Sequence, residues 1–121
     1  MGSGLIRVRD LVSKVKVDRA AGVGLHEVYR GEGASVHLAV LDPMRRLKSH
    51  YHRERDEVYI IISGRGVVRV ADEVREVGVG DVVVIPKETP HGIENIGKEK
   101  LVFLFMSTPP FAPKEDRTFI E

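Results

Sequence analysis

The sequence predicts an all-β protein, folded as a barrel or a sandwich. Three observations carry this expectation. Short runs rich in Val and Ile recur at close spacing, and such residues suit the pleated, half-buried surface of a strand. Turns built on glycine separate the runs. No stretch keeps a helical period of apolar residues for three turns. At 121 residues the chain reads as one domain, 1–121, long enough to bury ~65% of its unfolded surface and form a core without staples.

The elements follow in chain order. Met1-Gly2-Ser3-Gly4 reads as a tag remnant or a disordered start. Leu5–Val17 nearly alternates apolar and charged residues, which suggests short edge strands with charged outer faces. A short helix near Asp10–Lys14 is the alternative there. Ala20–Gly24 is a flexible turn, Leu25–Arg30 a strand, and Gly31-Glu32-Gly33 a tight turn. Ser35–Leu41 is a firm strand closed by Asp42-Pro43. A short basic piece, Met44–Lys48, leads into His50. Glu57–Ile62 is apolar on both parities, so both faces of that strand should be covered. Ser63–Gly66 reads as a hairpin turn. Strands follow at 67–71, 74–77, 82–85, near 90–95, and at 101–106. Residues 107–121 are expected to leave the sheet as an extended tail stiffened by Pro109, Pro110 and Pro113.

Composition excludes several classes of function. With no cysteine, disulfides, thiolate metal ligands and cysteine nucleophiles are ruled out, so a bound metal must be held by nitrogen and oxygen. A formal net charge of +1 gives no general attraction to nucleic acid or membrane. No apolar run approaches the ~18 residues of a membrane span, and the start shows no signal-peptide pattern. The expectation is a soluble, cytoplasmic protein. Glutamine is absent, Asn95 is the only asparagine, and charged residues reach 31%. Few thermolabile amides with many charges is a thermophile-like composition.

Chemistry concentrates in four residues. His50 and His52 are two apart, so in an extended strand their imidazoles share a face, with Cα atoms ~6.5–7 Å apart. Both can reach one ion. Glu57 opens the next apolar run and offers an oxygen. His91 follows Pro90 after another such run.

The spacing of the whole set resembles the cupin superfamily. The family's first motif, G-x5-H-x-H-x3,4-E-x6-G, is matched by Met44, His50, His52, Glu57 and Gly64. Its second, G-x5-P-x-G-x2-H-x3-N, is matched by Gly80, Pro86, Glu88, His91 and Asn95. Met44 and Glu88 stand where the family has turn glycines, so the backbone there is expected to differ. The resemblance implies a double-stranded β-helix, or jelly-roll, barrel with His50, His52, Glu57 and His91 as metal ligands. Three imidazoles and a carboxylate suit a divalent transition metal (Mn, Fe, Ni, Co, Cu or Zn) and leave open coordination positions.

Parity places Tyr59 on the same face as Glu57, where its phenol would line a substrate pocket or simply fill the core. His37 on the preceding strand has the same two readings. Asn95 is expected to support the site or its turn. Arg45, Arg46, Lys48, Arg53 and Arg55 surround the His pair, either framing a mouth for an anionic substrate or forming a solvated mixed-charge loop with Glu54 and Asp56. The expected partner is a small-molecule ligand or substrate, and the family suggests a homodimer, with Phe111 packing across to the second copy. Function is left between a metal-dependent enzyme of oxygenase, isomerase or decarboxylase type and a non-catalytic ligand-binding module with a structural metal.

Overall fold

The computed structural model describes residues 4–121, so the expectation for Met1-Gly2-Ser3 lies outside the described residues. Among the described residues, eleven strands follow two short 3-10 turns at Val8–Asp10 and Val12–Lys14. They are β1 (Lys16–Asp18), β2 (Val23–Arg30), β3 (Ser35–Leu41), β4 (Arg46–Tyr51), β5 (Asp56–Ser63) and β6 (Arg65–Val70). The rest are β7 (Glu73–Gly78), β8 (Val82–Ile85), β9 (His91–Asn95), β10 (Leu101–Thr108) and β11 (Thr118–Phe119). They form two antiparallel sheets, one ordered β1-β2-β3-β10-β5-β8 and the other β11-β4-β9-β6-β7. Together they make the double-stranded β-helix barrel that the sequence predicts.

Alternation builds the core. Tyr59 and Ile61 of β5 and Phe103 and Phe105 of β10 point inward from the larger sheet. Leu47, Val68 and Ile93 meet them from the smaller one. Burying a large apolar side chain fully stabilises by roughly 1.5–3 kcal/mol, so this shared inner layer fixes both register and closure.

Several expectations change. Leu5–Arg9 is not a strand. Val8, Leu11, Val12 and Val15 follow helical spacing and pack on Leu38, Val40 and Val102, capping the outer face of β3 and β10. Ala20–Gly24 is not a loose turn: Ala21 is fully buried and Val23 begins β2. Ser63–Gly66 is a corner between the sheets, because β5 pairs with β10 and β8 while β6 pairs with β7 and β9. Gly64 makes that corner possible. Its φ is +89, and a Cβ would sit 2.5 Å from the Lys100 carbonyl oxygen.

The two faces of β5 are not equally covered. Ile60 and Ile62 point outward and are 40% and 37% exposed. The C-terminal segment does not leave the barrel. It turns at 113–116 and returns as β11, pairing Thr118 with Tyr51 and Phe119 with His50 of β4. Phe111 is buried within its own chain, against His37 and Phe105, rather than held free for a second copy.

Met44 and Glu88 keep the glycine-like backbone. Their φ values are 69 and 66, in the left-handed region that costs an L-residue ~1–2 kcal/mol. The turn shape is retained and the residues are strained.

Candidate metal centre

Three strand ends converge. His50 lies on β4 and His91 on β9, directly paired across the smaller sheet. His52 follows β4, and Glu57 sits at the start of β5 in the opposite sheet. All four side chains are buried, and each offers a ligand atom within 4.8 Å of the others. Glu57 Oε1 is 3.4 Å from His52 Nε2 and 3.5 Å from His91 Nε2.

The backbone sets the imidazole tautomers. His50 Nδ1 is 2.7 Å from the Lys48 carbonyl, His91 Nδ1 2.9 Å from the Thr89 carbonyl, and His52 Nδ1 2.6 Å from the Asp116 carbonyl. A carbonyl oxygen only accepts, so each Nδ1 carries the hydrogen and each neutral ring turns a lone pair on Nε2 toward the others. His52 Nε2, His91 Nε2 and Glu57 Oε2 are buried with no hydrogen-bond partner among the described residues. Leaving buried polar atoms unpaired costs about 1–3 kcal/mol each. A cation at their meeting point satisfies all of them, and backbone acceptors behind the rings are the usual way of fixing metal-binding histidines. The donor set therefore fits a divalent transition metal.

Protonation agrees with this. Burial, helped by the neighbouring His91, pulls His50 down to about 3, so its ring is neutral. Burial opposes ionisation of Glu57, but the imidazoles of His52 and His91 outweigh it and hold its carboxyl at about 2. His52 is the exception. Burial lowers it, yet the Glu57 carboxylate and the Asp116 carbonyl outweigh burial and raise it. In the metal-free site His52 thus tends to hold a proton against Glu57, in the place a cation would take.

The site opens on a cavity inside the barrel. It is narrow, with an empty volume of about 300 Å³ counted out to where it meets solvent. It admits only a ligand of a few heavy atoms unless the walls move. His50 and Glu57 border it, with Tyr59, Phe105, Phe111 and Arg117. Tyr59 thus lies where parity puts it. Burial, with the Glu57 charge beside it, raises its phenol well above the ordinary value, so it stays protonated as a donor.

His37 is not on the cavity wall. It stacks on Phe105 at 4.7 Å and shares a 2.7 Å hydrogen bond with Ser35 Oγ. Burial pulls it down to about 4; its geometry is that of a satisfied core residue. Asn95 lies away from the ligands, at the end of β9. Its Nδ2 donates to the carbonyls of Leu41 and Glu99, and its Oδ1 accepts from Gly97 N–H. The side chain closes the turn between β9 and β10.

The basic cluster splits. Arg46 pairs with Glu121 at the surface. Arg55 is buried and donates through Nε to Asp116 Oδ2 at 2.8 Å and through Nη1 to the Pro110 carbonyl. It anchors the C-terminal segment instead of framing a mouth or facing solvent. Asp116 is the residue that sequence reasoning missed. Its carboxylate also accepts from Arg53 N–H at 2.6 Å and Glu54 N–H at 3.1 Å, while its own carbonyl orients His52. No local spacing signals a partner 64 residues away.

The cupin domain profile matches residues 37–107, and the chain belongs to the cupin family. An uncharacterised protein of Methanocaldococcus jannaschii is 37% identical over 94 residues, covering 78% of this chain and 74% of that protein. A double-stranded β-helix protein from Klebsiella pneumoniae superposes with a TM-score of 0.81 at 19% identity, over 99% of both chains. A predicted oxalate decarboxylase from Thermotoga maritima gives 0.67 at 24% identity, over 71% of this chain and 79% of that one. At these identities the two structures speak for the fold alone.

Proposed function

We propose that the chain is a metal-dependent enzyme. His50, His52, Glu57 and His91 hold one divalent transition ion, and a small organic molecule binds beside it in the barrel. The observation that carries this reading is the set of buried, unpartnered atoms His52 Nε2, His91 Nε2 and Glu57 Oε2, beside a cavity whose wall includes Glu57 and His50. Such an ion supplies Lewis acidity, an activated water or a template. The chain's own part is to aim three imidazole nitrogens and one charged carboxylate at a common point, and to offer the Tyr59 hydroxyl as a donor. Oxygenase, isomerase and decarboxylase chemistry are all open to this arrangement.

The second reading is a ligand-binding module whose metal is structural. It is favoured by the thin supply of acid–base groups: besides the metal ligands, Tyr59 is the only wall residue among the described ones with an ordinary proton-transfer role, and its raised phenol is a poor acid near neutral pH. Metal-loaded protein incubated with a panel of small organic acids and sugars, with and without O2, separates the two. Product formation that disappears in His50→Ala supports the enzyme. Saturable binding with no turnover of any panel member, metal content being confirmed, favours the module.

The proposal includes a second copy of the chain as partner. Outward from β5 and β8, Ile60, Ile62, Val82 and Val84 form an apolar face, the last two 58% and 63% exposed. The face continues the sheet surface that the N-terminal turns cover over β3 and β10. Ile60 sits opposite Val82, and Val58 opposite Val84, so no charge interrupts it. An uncharged patch is self-complementary, as a two-fold contact requires.

A further inference from the structure

We infer that Arg117 makes the barrel cavity a receptor for a small carboxylate. The inference rests on the functional reading above and narrows it to a ligand class. Arg117 lies just before β11 and lines the same cavity as His50 and Glu57. Its side chain is only 10% exposed. One donor is committed: Nη1 bonds Asp18 Oδ2 at 2.7 Å. One face is covered, with Cζ 4.9 Å from the centre of the Phe119 ring. Nε is buried and has no acceptor among the described residues.

A guanidinium carries five N–H donors in a rigid fork that matches a carboxylate. Asp18 and Phe119 fix that fork without using it up. A buried, charged donor without an acceptor is costly, and an anion that reaches it from the cavity, with a shift of the wall, relieves the cost by a charge-assisted hydrogen bond.

The surroundings select the class. Among the described residues Arg117 is the only arginine or lysine on the wall, and Asp18 already offsets part of its charge. One guanidinium fork, partly neutralised in this way, suits a single carboxylate. Ala39, Leu47, Phe103, Phe105 and Phe111 form much of the rest. They offer no partners for the several hydroxyls of a sugar, whose burial would be unfavourable. The limited space admits only a few heavy atoms. The ligand is therefore a short carboxylate with an apolar body, its charged end on Arg117 and the remainder beside His50 and Glu57.

Propionate and its neutral isostere propionamide are the probes. Full-length 15N-labelled protein is titrated with each, both metal-free and loaded with diamagnetic Zn2+, and metal content is measured in parallel. The Arg117 Nε–H signal is assigned by its loss in Arg117→Met. Propionate is expected to shift that signal saturably, propionamide is not, and Arg117→Met should weaken propionate at least tenfold with metal content unchanged. Asp18→Asn, which keeps the guanidinium, should bind propionate as well as wild type or better. The inference is overturned if propionate does not bind, if Nε–H stays fixed at saturation, or if Arg117→Met binds equally well. Should Arg117→Met fail to fold, Arg117→Lys, which keeps the charge and removes Nε–H, supplies the assignment and the comparison, and propionate affinity unchanged in it overturns the inference. Loss of Zn2+ binding in wild type would instead overturn the metal reading, and the metal-free titration would still judge Arg117.

Discussion

His52 Nδ1 donates to the backbone carbonyl of Asp116 at 2.6 Å, so a residue of the C-terminal segment orients a candidate metal ligand on the far side of the sequence. The Asp116 carboxylate fixes that carbonyl by accepting from Arg53, Glu54 and Arg55. Loss of an outer partner of a metal-binding histidine typically weakens metal binding 10–100-fold. Asp116→Ala should therefore lower affinity by about tenfold or more in a chelator competition, with the barrel's circular dichroism retained. Unchanged affinity would mean that His52 needs no such support.

Glu88 and Met44 adopt left-handed backbone at positions where glycine carries no Cβ penalty. The Glu88 turn also donates its N–H to the His52 carbonyl at 2.5 Å, so the strain sits beside the site. Glu88→Gly and Met44→Gly should each stabilise the fold by about 0.5–1 kcal/mol, the left-handed penalty less the entropy of glycine. Thermal melts should show a rise of about 2–4 °C for each. A fall in Tm would show that other contacts of these side chains outweigh the backbone term.

His37 gives stability a pH dependence of known sign. Its ordinary value is 6.5 and burial pulls it to about 4 in the fold. As pH drops below 6.5, the unfolded chain takes up this proton and the folded chain does not. Stability is full above that value, falls between pH 6.5 and 4, and loses nothing further from this group below 4. His50 adds a slope of the same sign that extends to about pH 3. Metal-free His37→Gln should show a shallower loss of Tm over this range than metal-free wild type. Identical slopes would remove His37 from the account.

The outer face of β5 and β8 should hold two copies together. Ile60→Lys and Val84→Lys place charges on that face, which burial would penalise. Light scattering should give a dimer for wild type and a monomer for the double variant. A wild-type monomer, or a dimer that survives both lysines, would remove this face as the interface.

Much of the architecture was legible in the chain because strand alternation is local. β3 and β8 have the bounds that their apolar runs suggest, Ser35–Leu41 and Val82–Ile85. The four candidate ligands were legible for a different reason: three strands at fixed separations carry them, and Tyr59 followed by parity. What stayed hidden depends on contacts between distant segments. Nothing near Arg55 announces Asp116, nothing near Asp18 announces Arg117, and the Thr118–Phe119 pairing with β4 needs the barrel to exist first. Val8, Leu11, Val12 and Val15 carried a helical spacing, but interspersed charges made it resemble alternation. His37 could not be placed by parity, because Phe105 and Phe111 stand between it and the cavity only in three dimensions.

Everything proposed for the site depends on His50, His52, Glu57 and His91 holding one ion. Elemental analysis of tag-free protein, wild type beside His50→Ala and His91→Ala, tests it most directly. About one equivalent of a transition metal per chain is expected in wild type and strong depletion in both variants, with all three proteins folded. Equal metal content in the three, or a folded wild type that takes up no Mn, Fe, Co, Ni, Cu or Zn when each is supplied, would contradict it.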